Sequence, residues 1–194
     1  MKPYIVVDLD GTLVRGNTFI IYFKMVLRSA PLWARIRTAI LAALNLLHLI
    51  SHWRMKRAMF QMASVDKLPQ KAVERFVADV KSRFNPEVEE LMERYRSDGY
   101  GVLIATAAME QYVRLLGFDN YVATPDGGPE YKSEEKLRRV EHWLNSHNGR
   151  MMAMVTDHAD DAPLIAALPE QGKAYRVKSN GEVDCVASAA AFGR

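Results

Sequence analysis

Five short apolar runs, separated by helical stretches, leave this chain few architectures. They are Tyr4-Ile5-Val6-Val7, Tyr100-Gly101-Val102-Leu103-Ile104-Ala105, Asn120-Tyr121-Val122-Ala123, Met151-Met152-Ala153-Met154-Val155 and Ala174-Tyr175-Arg176-Val177. The first and fourth are apolar at every position, which reads as strands covered on both faces. Strands alternating with helices argue an α/β fold built on a parallel sheet. The spacing predicts a helix over 86–95, with Val88, Leu91, Met92 and Tyr95 on one face and Gly99 beyond its end. Others are expected over 109–116, stopping at Gly117, over 136–145 with Leu137, Val140, Trp143 and Leu144 inward, and over 161–168. Met151, Met152 and Met154 are strand core on this reading.

Residues 16–85 interrupt the alternation. Helix formers dominate there, punctuated by Pro31 and Pro69, which predicts three or four helices inserted after the first strand. The expected division is therefore 1–15 plus 86–194 as an α/β core and 16–85 as a helical insertion. From 13 to 85 there are 13 Lys/Arg against 3 Asp/Glu, a balance of +10, so the remainder carries −7 of the net +3. A basic insertion could attract an anionic substrate, an anionic membrane surface or nucleic acid, or be a solvated helical surface. Apolar residues make up 49% of the chain, enough for a sizeable core without staples. The single Cys185 excludes an internal disulfide and suits a reducing cytoplasm. The apolar run before Asp8 is too short for a secretory signal. No internal repeat is evident, and the only biased stretch is a small Ala-rich one near the end (187–191).

In open α/β sheets ligands bind outside the carboxyl ends of the strands. Asp8, Asp10 and Thr12 follow the first predicted strand, Thr106 the second, and Thr156-Asp157-His158-Ala159-Asp160-Asp161 the Met-rich one. Carboxylates gathered at one edge repel unless a cation is bound, and oxygen-only ligands select a hard ion such as Mg²⁺. A carboxylate so placed can attack phosphorus and form an aspartyl-phosphate, while a second carboxyl two residues on moves protons. A hydroxyl and a lysine on the remaining phosphate oxygens would complete the clamp.

Asp8-x-Asp10-Gly11-Thr12 resembles the first motif of the haloacid dehalogenase-like (HAD) hydrolases in its phosphatase form. Ile104-Ala105-Thr106 is similar to the second, Lys136 at a helix start to the third, and Asp157-His158-Ala159-Asp160-Asp161 to the acidic fourth. The helices between the first two motifs resemble the cap of the phosphoserine-phosphatase-like subfamily. The resemblance implies a three-layer Rossmann-like parallel sheet with an inserted all-α cap, and a phosphomonoester hydrolase using Mg²⁺. It implies Asp8 as nucleophile and metal ligand, and Asp10 as general acid/base with its backbone carbonyl on the metal. Thr106 and Lys136 would hold the phosphoryl group and Asp157 would bind the metal. Asp161 would support the metal indirectly, with Asp160 and Thr12 lining the site. Lys132, one turn earlier, is the alternative lysine. Phosphoserine phosphatases carry glutamate where this chain has Asn17, which argues against phosphoserine. A degenerate, non-catalytic binding module is the competing class.

Sixteen residues, 38–53, lack Asp, Glu, Lys and Arg, with Arg35 and Arg37 before them and Arg54, Lys56 and Arg57 after. The stretch is shorter than the roughly 20 apolar residues needed to span a bilayer. With Trp33 and Trp53 at its margins it could be an interfacial helix, a buried cap helix or a dimer contact. In length and texture the chain also resembles a branch of the subfamily containing phosphatidylglycerophosphatases, which implies a membrane-associated lipid phosphatase as the alternative substrate class. His48 and His52, four apart, could share a helix face as metal ligands, but no carboxylate or Cys accompanies them and the residue after His48 is Leu49, so packed or surface histidines are the expected reading. His158 could touch substrate or be a plain loop residue. Nucleic acid is not the expected partner, and the oligomeric state is open.

Overall fold

The five runs read as strands, joined by a sixth, pair into one sheet of order β3-β2-β1-β4-β5-β6 in a computed structural model that describes residues 1–186. The Ala-rich stretch lies outside the described residues. The chain runs β1 (Lys2–Val7), α1 (Thr18–Ser29), α2 (Leu32–Leu46), α3 (His52–Met62), α4 (Gln70–Lys81), α5 (Pro86–Ser97) and β2 (Gly101–Met109). It continues through α6 (Glu110–Val113), β3 (Tyr121–Thr124), α7 (Ser133–Ser146), β4 (Gly149–Thr156), α8 (Ala162–Ala166), β5 (Lys173–Val177) and β6 (Val183–Val186). Strands β1 to β5 are mutually parallel, as their two-sided burial predicts. The sheet is not wholly parallel, however. β6 pairs antiparallel with β5 at the edge, because only a short turn through Asn180-Gly181 joins the two, too short for a crossover.

Alternation along β1 builds the layers. Ile5 and Val7 face one side, packed with Val88, Leu91 and Met92 of α5 and with the inserted helices. Tyr4 and Val6 face the other, against Val140 and Leu144 of α7 and Leu164 of α8. Gly101 is required here, since a Cβ would lie 2.1 Å from the Tyr4 ring.

The insertion forms four α-helices plus a 3₁₀ turn at Val65–Lys67. It is fastened to the core by aromatic rings. Tyr22 of α1 stacks on Tyr112 of α6 with centroids 5.3 Å apart, and Phe60 and Phe76 close round the pair. The apolar stretch is not one helix. It breaks after Leu46, where His48 takes φ of 57°, and α3 restarts at His52 under the Ser51 cap. His48 and His52 therefore share no helix face. Nor is α2 a buried helix, since only Ala34 and Thr38 of its 15 residues are buried. No helix among the described residues is long and apolar enough to cross a membrane.

Candidate active site

The carboxyl ends of β1, β2 and β4 meet at a cavity of about 550 Å³ lined by Asp8, Asp10, Thr106, Lys136, Asp157, Asp160 and Asp161. β1 delivers Asp8, buried, at the point where its own N–H still bonds to Val155 of β4. The chain then turns tightly at Gly11, with φ of 80°, whose N–H donates to the carbonyls of Val14 and Gly16. Glycine is needed for a second reason: a Cβ would stand 2.1 Å from Asp157 Oδ2.

Lys136 lies in the first turns of α7, buried, and its Nζ reaches Asp8 Oδ1 at 2.6 Å. The same ammonium meets both oxygens of Asp161, at 2.8 and 2.9 Å. Thr156 Oγ1 donates to Asp161 Oδ2 at 2.7 Å and fixes that carboxylate from behind. One cation therefore serves two buried carboxylates. It stays protonated, its pKa raised by them despite the burial that opposes it. Asp8 remains under-compensated, and burial pushes its pKa up to about 7. Lys132, by contrast, keeps about half its side chain exposed and sits 3.8 Å from Glu130 at the cavity rim.

Thr12 occupies the centre of the acidic edge. Its hydroxyl faces Asp8 Oδ2 at 3.3 Å and Asp157 Oδ1 at 3.2 Å, and it accepts the Asp157 N–H at 3.0 Å. Asp8 and Asp157 thus present oxygens to a common point. Burial raises the Asp157 pKa as it does that of Asp8, the response of carboxylates with too little positive charge nearby. Among the described residues no group of three or more His, Cys, Asp or Glu is arranged to hold a metal alone. Mg²⁺ needs only one or two carboxylates, with water and phosphate oxygens filling its octahedron, so an oxygen-only pair fits this ion.

Asp10 points toward the insertion. Its Oδ1 accepts the N–H of Thr18 at 2.6 Å, at the first turn of α1, where helix-terminal N–H groups favour a carboxylate. Burial nonetheless dominates and raises its pKa above the usual carboxylate range. Thr106 is buried within β2 and its Oγ1 accepts the N–H of Ala108 at 3.0 Å. Asp160 is half exposed and pairs with His158 outside the cluster, while both border the cavity.

The remaining wall was not read from the sequence. Asn17, Ile20, His52 and Lys56 come from the insertion, and Tyr131 from the loop before α7. Asn17 caps α1 by accepting the Ile20 N–H at 3.3 Å, which engages the amide oxygen. Lys56 crosses to the core and meets Glu130 at 2.8 Å. His52 and Lys56 are one turn apart on α3, a signal visible only once the helix boundary is known.

A family profile described as haloacid dehalogenase-like hydrolase matches residues 5–166. Among solved structures, a protein of unknown function from Bordetella pertussis Tohama I superposes with a TM-score of 0.67 at 19% identity, covering 86% of this chain and 87% of that one. A HAD family hydrolase from Salmonella enterica serovar Typhi gives 0.61 at 11% identity, over 87% of this chain and 61% of that one. A phosphoserine phosphatase, solved as an analogue of its phospho-aspartyl intermediate, gives 0.55 at 16% identity, over 86% and 83%. At such identities the likeness is one of fold. No curated protein sequence matches. The profile spans most of the chain and includes the strand ends that build the cavity, so the chain belongs to the haloacid dehalogenase-like hydrolases.

Proposed function

We propose that this chain is a Mg²⁺-dependent phosphatase that hydrolyses a small phosphomonoester through an aspartyl-phosphate on Asp8. The supporting observation is the pairing of Asp8 with Lys136 on one oxygen and Thr12 on the other, beside Asp10, whose pKa its enclosure raises. Asp8 attacks phosphorus and the bond to the leaving oxygen breaks. Asp10 gives its proton to that oxygen and then, as carboxylate, takes one from the water that attacks the acyl phosphate. Breaking the Asp8–phosphorus bond releases inorganic phosphate. Lys136 and the Thr106 hydroxyl hold oxygens of the moving phosphoryl group, and Asp161 and Thr156 keep the lysine aimed. Mg²⁺, held by Asp8, Asp157 and the Asp10 carbonyl, would supply charge neutralisation for the phosphoryl group.

The core is 1–15 with 86–194, and 16–85 is a cap that covers the cavity and selects the substrate. His52 and Lys56 are among its contributions to the wall and suit a polar or anionic leaving group. With Asn17 committed to capping α1, no carboxylate stands there to read an amine, and phosphoserine is not the substrate we favour.

The test is turnover of a chromogenic phosphate ester, with Mg²⁺ and with chelator, followed by a panel of sugar, nucleotide and lysophospholipid phosphates. Mg²⁺-dependent release of phosphate that Asp8→Asn abolishes is expected. Absence of turnover across the panel, with Asp8 intact, would leave a binding module in place of the enzyme.

A further inference from the structure

The outward face of α2 carries the helix's largest apolar side chains. Ala34 and Thr38 are its only buried residues, whereas Leu32, Trp33, Ile36 and Ile40 each expose more than half of their surface. Positions 32, 36 and 40 are four apart and form one stripe. Beyond the helix end, Leu47 and Leu49 are each 66% exposed. Soluble monomers seldom leave a contiguous apolar surface of this kind uncovered.

Charge identifies what covers it. From Gly11 to Val65 there is no Asp or Glu, while there are eight Lys or Arg. Arg35 and Arg37 stand exposed on α2 itself, and Arg54 and Arg57 on α3. A second copy brought face to face would set these cations against one another, with no carboxylate from this stretch to pair them. An anionic bilayer supplies both needs, hydrocarbon for the stripe and headgroup charge for the arginines. At 15 residues α2 is about 22 Å long, too short to span and suited to lying in the interface plane.

We propose that the outer face of α2 docks this protein peripherally on anionic lipid bilayers. The contact lies outside the catalytic cavity, so it stands or falls separately from the phosphatase reading. The experiment is co-sedimentation of the full chain with vesicles of phosphatidylcholine, alone or with one-third phosphatidylglycerol, at low and high salt. Partitioning onto the anionic vesicles should exceed that onto neutral ones by about tenfold or more and fall as salt rises. Ile36→Glu/Ile40→Glu should lose about tenfold or more of that partitioning. It should also keep the circular dichroism spectrum and whatever turnover of a water-soluble phosphate ester the parent protein has. Equal binding to both vesicle types, or a double variant that binds as the parent does, would overturn the proposal. So would a dimer in sedimentation velocity that the same double variant dissociates, since the face would then belong to a second copy.

Discussion

Replacing Asp8 by asparagine is expected to stabilise the metal-free protein as it removes the proposed nucleophile. Asp8 is buried and shares its lysine with Asp161, so its pKa sits at about 7 against 3.8 for the unperturbed group. Between those values the folded state binds a proton that the unfolded chain has released. Stability therefore falls as pH rises from about 4 to about 7, and the whole penalty applies above that. Going from pH 5 to pH 8, the two pH units up to about 7 contribute roughly 3 kcal/mol, at ~1.36 kcal/mol each. Asparagine keeps an oxygen for Lys136 but carries no charge, so the variant lacks this slope. Other groups titrate in both proteins and largely cancel in the difference. The margin of Asp8→Asn over the parent should thus widen by about 3 kcal/mol, or about 6–12 °C in Tm for a chain of this length. Thermal unfolding in chelator at the two pH values measures it. A margin that stays constant, or narrows toward pH 8, refutes the argument that Asp8 is an under-compensated buried charge. Added Mg²⁺ should close the gap at pH 8 by stabilising the parent more than the variant.

Three further substitutions probe the same geometry. Lys136→Met removes the cation between Asp8 and Asp161 and should cost about 3–5 kcal/mol in urea unfolding at neutral pH, less in acid, whereas Lys132→Met at the exposed rim should change stability by no more than about 0.5 kcal/mol. The reverse order would show that the wrong lysine has been placed in the site. Gly11→Ala forces a Cβ onto Asp157 at a backbone angle that alanine resists, so the Mg²⁺ concentration needed for half-maximal turnover should rise by about tenfold or more, and an unchanged Mg²⁺ titration would remove Asp157 from the metal site. Thr38→Val replaces a buried hydroxyl that has no hydrogen-bond partner among the described residues, so it should raise stability by about 1 kcal/mol; a loss would mean that the hydroxyl is satisfied in solution.

Much of the core was legible because its signals are local. The run Tyr4-Ile5-Val6-Val7 must be covered on both faces whatever its neighbours are, and β1 sits at the middle of the sheet. Asn85-Pro86 marks a helix start, and α5 begins there with the Asn85 side chain accepting the Glu87 N–H. The break between α2 and α3 was not legible. Nothing in Leu46-Leu47-His48-Leu49 forbids a helix, and the turn is held by the Asn45 amide donating to the Ile50 carbonyl. The edge strand β6 was missed for a similar reason, since Val183-Asp184-Cys185-Val186 is only four residues long, is interrupted by a charge and pairs on one side only.

By itself the sequence determined which candidate groups gather at the strand ends. Two aspartates, a glycine turn and a threonine after an apolar strand, with hydroxyl, lysine and acidic loops after later elements, mark a candidate site through residue type and order. Only the tertiary structure decided between Lys132 and Lys136 as the partner of Asp8, because the two differ by one helical turn and burial alone separates them. It also turned Asp161 toward the lysine, brought His52 and Lys56 to the cavity wall, and left Leu32, Trp33, Ile36 and Ile40 of α2 facing outward. Such facts depend on what lies across space from a side chain, and a periodicity along the chain carries no information about that.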